Sequence, residues 1–184
     1  MLTDSAARWL LVLHTALGVA AVGASTHLLL WLWRRKPRAL RFAWLVVALM
    51  AAAFVAGNAM YPTYKVEVRA AYLESPGAVT AAAAAHQHDI ERVAAREGAR
   101  PAEATPSMDI VRRAAQAARW FDVKETWVAL GLLCAAALAW LLSIREAAES
   151  SSIRPVLLGL AAIVAGSTWL AAVVGVVVAS YRAV

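Results

Sequence analysis

The chain has 184 residues, of which 62% are hydrophobic and only 16% charged. A soluble domain is typically about 45–50% apolar and about 25% charged. The composition therefore argues against a water-soluble enzyme, a disordered chain or a nucleic-acid-binding domain, although the net charge is +6 and the pI is near 10.1. The single cysteine, Cys134, allows neither an intramolecular disulfide nor a cysteine-based zinc or iron–sulfur site.

In chain order, the first predicted element is an apolar helix over residues 8–33. It is too long for the core of a signal peptide, and its positive charges follow it instead of preceding it. A short connection then carries Arg34, Arg35, Lys36, Arg38 and Arg41 with no acid. Such a run marks the cytoplasmic side of a membrane protein. A second apolar helix is expected over residues 40–61. Each of these segments meets the requirement of about 20 apolar residues for a crossing.

Residues 62–122 read as a small helical segment outside the bilayer. Pro62 is expected to begin a new helical stretch in which Tyr64, Val68 and Tyr72 align at spacing four. Ser75, Pro76 and Gly77 end it. A helix from Ala78 to about Glu97 should then stop at Gly98. Pro101 and Pro106 mark a linker, and Ser107 has the chemistry of an N-cap for a helix over Met108 to Phe121. Asp122 and Glu125 have the spacing of a capping box. They would either start the next span or mark a break in a longer helix.

The third and fourth spans are predicted over residues 123–144 and 155–181. Their connection carries Arg145, Glu146, Glu149 and Arg154. None of the six prolines is expected inside a span, and Pro155 sits where a helix can start. Four crossings with the basic connection inside put both termini and residues 62–122 outside, in a bacterial inner membrane. From Lys65 to Glu125 nine basic residues balance nine acidic ones. The excess charge is therefore a topology signal that needs no nucleic acid.

Tryptophan and tyrosine favour the membrane–water interface. Trp9, Trp120 and Trp127, with Tyr61, Tyr64 and Tyr181, fall near the outer ends of the spans. Trp31, Trp33, Trp44 and Trp140 fall near the inner ends, and Trp169 near the middle. Small residues recur at spacing four: Ala16, Ala20 and Ala24; Ala48, Ala52 and Ala56; Gly131, Ala135 and Ala139; Ala171, Gly175 and Ala179. Such rows let backbones approach closely, either within one bundle or across a homodimer.

His14 and His27 lie inside the first span, and an intramembrane ionisable residue is a functional hypothesis. Neutral imidazole can ligate haem iron or a metal, or hydrogen-bond a quinone. Their separation is about 20 Å along the axis and roughly 220° around it, so they cannot share one iron. His14 shares its face with Gly18, Ala21 and Ser25, and His27 with Ala16, Ala20 and Gly23. The plainer reading of each is a packed histidine bonded to a hydroxyl or a carbonyl. The other spans hold no histidine, so a haem b on one chain would need His86, His88, Met50 or Met60 as second ligand, or another copy.

Tyr61, Lys65, Arg69, Lys124 and Glu125 make the outer ends of spans 2 and 3 unusually polar. They read either as interfacial anchors or as an outer-face site for a quinone or lipid headgroup. His86, His88 and Asp89 form a further polar group. It reads as an exposed helix face or, less fully provided with ligands than a catalytic zinc, as a metal site.

The segments Leu13-His14-Thr15, Thr26-His27, Tyr61-Pro62-Thr63-Tyr64-Lys65 with Val68-Arg69, and Phe121-Asp122-Val123-Lys124-Glu125 resemble a group of uncharacterised bacterial four-helix membrane proteins. The resemblance covers spans 1 to 3 and brings no activity with it. Residues 78–106 look like an insertion relative to that pattern.

The expected fold is all-α: a four-helix transmembrane bundle with a small helical extramembrane extension between helices 2 and 3. The leading functional expectation is a non-catalytic subunit or accessory of a membrane redox complex, contacting haem b or quinone through its histidines. Its partners would be the lipid bilayer and other membrane subunits, or a second copy. The alternatives are a cofactor-free protein that binds a partner through its outer helices, and metal handling at the outer face.

Overall fold

The computed structural model describes residues 5–35, 39–100, 107–144 and 150–180. Lys36, Pro37 and Arg38, the linker prolines Pro101 and Pro106, the charged Arg145, Glu146 and Glu149, and Tyr181 lie outside the described residues. The fold is all-α. Four long apolar helices are packed as a bundle: α1 (Ser5–Trp33), α2 (Ala39–Thr63), α4 (Ser107–Ser143) and α5 (Arg154–Ser180), with α3 (Pro76–Glu97) between the second and third of them. All four are long and apolar enough to cross a membrane, and the chain is a multi-pass membrane protein.

Contacts divide the chain into two units. The larger holds residues up to Tyr61 and Val123–Val173; the smaller holds Pro62–Asp122 and the last turns of α5 from Val174. The core of the larger unit draws on all four long helices. Ala21 and Leu28 of α1 and Ala43, Val46 and Met50 of α2 meet Ala135, Leu138, Ala139 and Leu142 of α4 and Leu157, Ala161 and Val164 of α5. Large apolar side chains such as Trp9, Val19, Val55, Leu133 and Val176 remain exposed. In water that would be costly, whereas lipid tails solvate them.

Polar side chains add ties between α1 and α5. The Ser25 and Thr168 hydroxyls are 2.8 Å apart and buried, and the Trp169 indole N–H donates to Thr26 Oγ1 at 3.1 Å. Gly131 of α4 lets α5 approach closely. A Cβ there would lie 2.6 Å from Ser167 Cβ. The row Gly131, Ala135 and Ala139 is buried as expected. The rows on α1 and α2 pack only at one end: Ala24 lies against the core and Ala56 is buried, whereas Ala16, Ala20, Ala48 and Ala52 are exposed. Small size permits close packing but does not select the face. The packed face mixes small Ala21 and Ala43 with the larger Leu28, Val46 and Met50, whose fit against the other helices supplies the van der Waals contact.

The smaller unit corrects three sequence expectations. Pro62 does not begin a helix: α2 runs through it to Thr63 and continues as a π-helical stretch, Tyr64–Leu73. Proline lacks the N–H of the α-helical ladder and its ring crowds the preceding turn. The turn before Pro62 stays α-helical, and the wider i→i+5 register sets in only after it, as in the bond donated by the Glu74 N–H to the Arg69 carbonyl (2.8 Å). The wider turn also changes the buried set, which is Tyr64, Val68 and Leu73 in place of Tyr72.

The third correction concerns Asp122 and Glu125, which cap nothing. Helix α4 is continuous over 37 residues, about 55 Å at 1.5 Å per residue, against about 30 Å of hydrocarbon. The longer helix is present, but without the expected break at Asp122. Helix α3 starts at Pro76, two residues before the expected Ala78, and ends at Gly98 in the left-handed conformation (φ 66°). There the Ala99 N–H donates to the Ala94 carbonyl at 2.9 Å.

Candidate functional site

His14 sits on the packed stripe of α1. Ala7, Ala21 and Leu28 recur at seven-residue spacing, are all buried, and His14 occupies the remaining position of that row. Its Nδ1–H donates to the Ala53 carbonyl of α2 at 2.8 Å. A carbonyl oxygen only accepts, so Nδ1 carries the proton, and in the neutral ring Nε2 keeps a lone pair. Gly57, one turn beyond Ala53, makes room for the ring. A Cβ at that position would stand 3.1 Å from His14 Cε1 and 3.3 Å from Nδ1. Lys124 of α4 lies near enough for its charge to act on His14, and Glu125 acts on Lys124 in the same way. Three of the expected site residues, His14, Lys124 and Glu125, thus belong to the larger unit. Tyr61, half-buried at the end of that unit's share of α2, belongs to the same unit.

His27 has different surroundings. It is exposed, and its ring lies 5.2 Å from Trp31 and 5.5 Å from Phe42, which are 4.9 Å from each other. The small neighbours on its own helix face are not what it packs on. Two large aromatic rings, one from α2, take that place. Met50, considered above as a second haem ligand, is buried in the core, with Cε 3.4 Å from a Cβ built on Gly131.

Lys65 and Arg69 fall in the smaller unit. Arg69 is its electrostatic centre. Nε donates to Glu74 Oε1 and Nη1 to Asp122 Oδ1, each at 2.7 Å. The two carboxylates are close to half exposed, so each pair contributes at most about 1 kcal/mol. One turn away Tyr64 stacks on Phe121 with ring centroids 3.9 Å apart. Two of the segments quoted for the family resemblance are therefore in direct contact, through residues that sequence reasoning had used as a cap and an anchor. Glu74 was missed altogether, because its partnership depends on the π register.

On α3, His86, His88 and Asp89 are exposed, and Asp89 accepts from Arg92 at 2.6 Å. Among the described residues no three His, Cys, Asp or Glu side chains gather into a metal-binding group. No family model, curated protein or solved structure matches this chain.

Proposed function

We propose that the protein is a non-catalytic subunit or accessory of a membrane redox complex, and that it presents His14 to a quinone headgroup. The observation that carries this reading is the Nδ1–H bond to the Ala53 carbonyl. That bond is the outer-shell arrangement that orients a functional imidazole and leaves Nε2 as an acceptor. Nε2 would accept a hydrogen bond from a quinol hydroxyl. Haem b ranks second, because His27 lies on another face of α1 and Met50 is in the core. A haem would need its second ligand from another copy or subunit. In this reading the chain sits in a bacterial inner membrane with both termini and residues 62–122 outside.

Absorption spectra of the detergent-purified protein, oxidised and reduced, together with chromatography of a solvent extract, test it. Co-purifying quinone that is lost in His14→Ala and retained in His27→Ala is the expected result. A Soret band would replace quinone by haem b. With neither, the redox reading falls. The same geometry supports a second reading, in which His14 is a cofactor-free tie between α1 and α2 and partners dock elsewhere. It predicts that His14→Ala lowers stability and leaves complex function intact.

A further inference from the structure

We propose that the end of the larger unit where α1 finishes and α5 begins binds an anionic phospholipid through its headgroup phosphate. Arg154, the first residue of α5, donates from Nη2 to the Trp33 carbonyl at 3.1 Å. This brings a guanidinium from a distant part of the chain against the last turn of α1. Arg34 and Arg35 follow immediately. Their N–H groups donate to the Leu30 and Leu32 carbonyls at 3.0 and 3.2 Å, so both are anchored to the helix end. Arg35 has φ 52°, a left-handed conformation usually left to Gly or Asn. Arg41, in the first turn of α2, is exposed, as are Arg34 and Arg35. Among the described residues no carboxylate pairs with any of these four arginines.

Two local explanations cover only part of this. Cations favour a helix C-terminus, which accounts for Arg154 at the Trp33 carbonyl. A basic connection orients the spans, which accounts for the sign of the charge. Neither accounts for Arg154 reaching the end of α1 beside the exposed Arg34 and Arg35, where no carboxylate among the described residues pairs with them. A phosphodiester of net negative charge does, and guanidinium forks match its oxygens. The surroundings fit a lipid in particular. Trp33 and Trp44 are 69% and 50% exposed, and indoles favour headgroup depth. Slightly deeper, the Trp31 and Phe42 rings with His27 form an aromatic wall between α1 and α2, and acyl chains of the same lipid would lie against its Trp31 and Phe42.

The test is native mass spectrometry of the full chain after incubation with an equimolar mixture of phosphatidylglycerol and phosphatidylcholine. Each arginine near the surface accounts for about a fivefold preference for the anionic lipid. The wild type should retain phosphatidylglycerol by at least about tenfold over phosphatidylcholine. Arg35→Gln should lose about fivefold of that preference with its unfolding temperature unchanged. Arg35→Gln combined with Arg154→Gln should lose about fivefold more than Arg35→Gln alone. Arg96→Gln with Arg100→Gln, the same charge loss on and just after α3, should keep the preference. Equal retention of the two lipids by wild type overturns the proposal. So does an equal loss in the α3 control, which would mean bulk charge. Complete displacement by millimolar inorganic phosphate overturns the lipid assignment, since a free anion would then suffice.

Discussion

At the scale of single residues, glycine 131 makes the sharpest demand. Its absent side chain is what lets α4 and α5 meet, since a Cβ would stand 2.6 Å from Ser167 Cβ and 2.8 Å from its Oγ. Gly131→Ala should cost about 1–3 kcal/mol, the usual range for overpacking, read as a lower thermal midpoint in detergent. Adding Ser167→Gly removes both clashing atoms and should recover most of the loss. If the double variant unfolds no later than the single one, the close approach is not the cause. The same logic explains which candidate was legible. His14 shares its face with Gly18, Ala21 and Ser25, and the buried stripe of α1 is built from that face. His27 shares a face whose Ala16, Ala20 and Gly23 are all exposed. Periodicity separates the two histidines, but it carries no information about the acceptor. The Ala53 carbonyl is a backbone atom, so no residue type announces it.

At the scale of elements, the four long helices and the α3 stop at Gly98 were legible because length, apolarity and glycine are local signals. The join after α2 was not. Proline suggests a beginning, whereas an existing helix runs through it and widens its turn only afterwards, over Tyr64–Leu73. That register decides which side chains face inward, and so which partners Arg69 reaches. Pro62→Ala restores the missing donor and removes the ring crowding, so the stretch should tighten toward α-helix. Burial should then move from Leu73 toward Tyr72. Thiol labelling of Leu73→Cys and Tyr72→Cys, in a Cys134→Ser background, reads this directly. With Pro62 present the cysteine at 72 should label several-fold faster than that at 73. With Pro62→Ala the order should reverse. An unchanged order would show that the π register comes from packing in the smaller unit and not from the proline.

At the scale of the whole molecule, the question is which side of the bilayer each connection occupies. Even-numbered crossings put the segments before α1, between α2 and α4 and after α5 on one side. The two short connections lie on the other. The segment between Lys65 and Glu125 is charge-balanced, and long segments cross largely regardless of charge. The decision therefore falls on the acid-free run that includes Arg34, Arg35 and Arg41. Holding several arginines against the membrane potential costs about 2.3 kcal/mol per charge per 100 mV to reverse, which favours keeping that end cytoplasmic. Single cysteines in the Cys134→Ser background, treated with a membrane-impermeant maleimide, decide it. His86→Cys on α3 should label in intact spheroplasts, because its side chain is exposed. Ser152→Cys, exposed just before α5, should label only after lysis. The inverse pattern would reverse the orientation and set the basic run outside, against the charge rule. Labelling of both in intact cells would mean that one of the four helices does not cross, and the crossing count itself would be wrong.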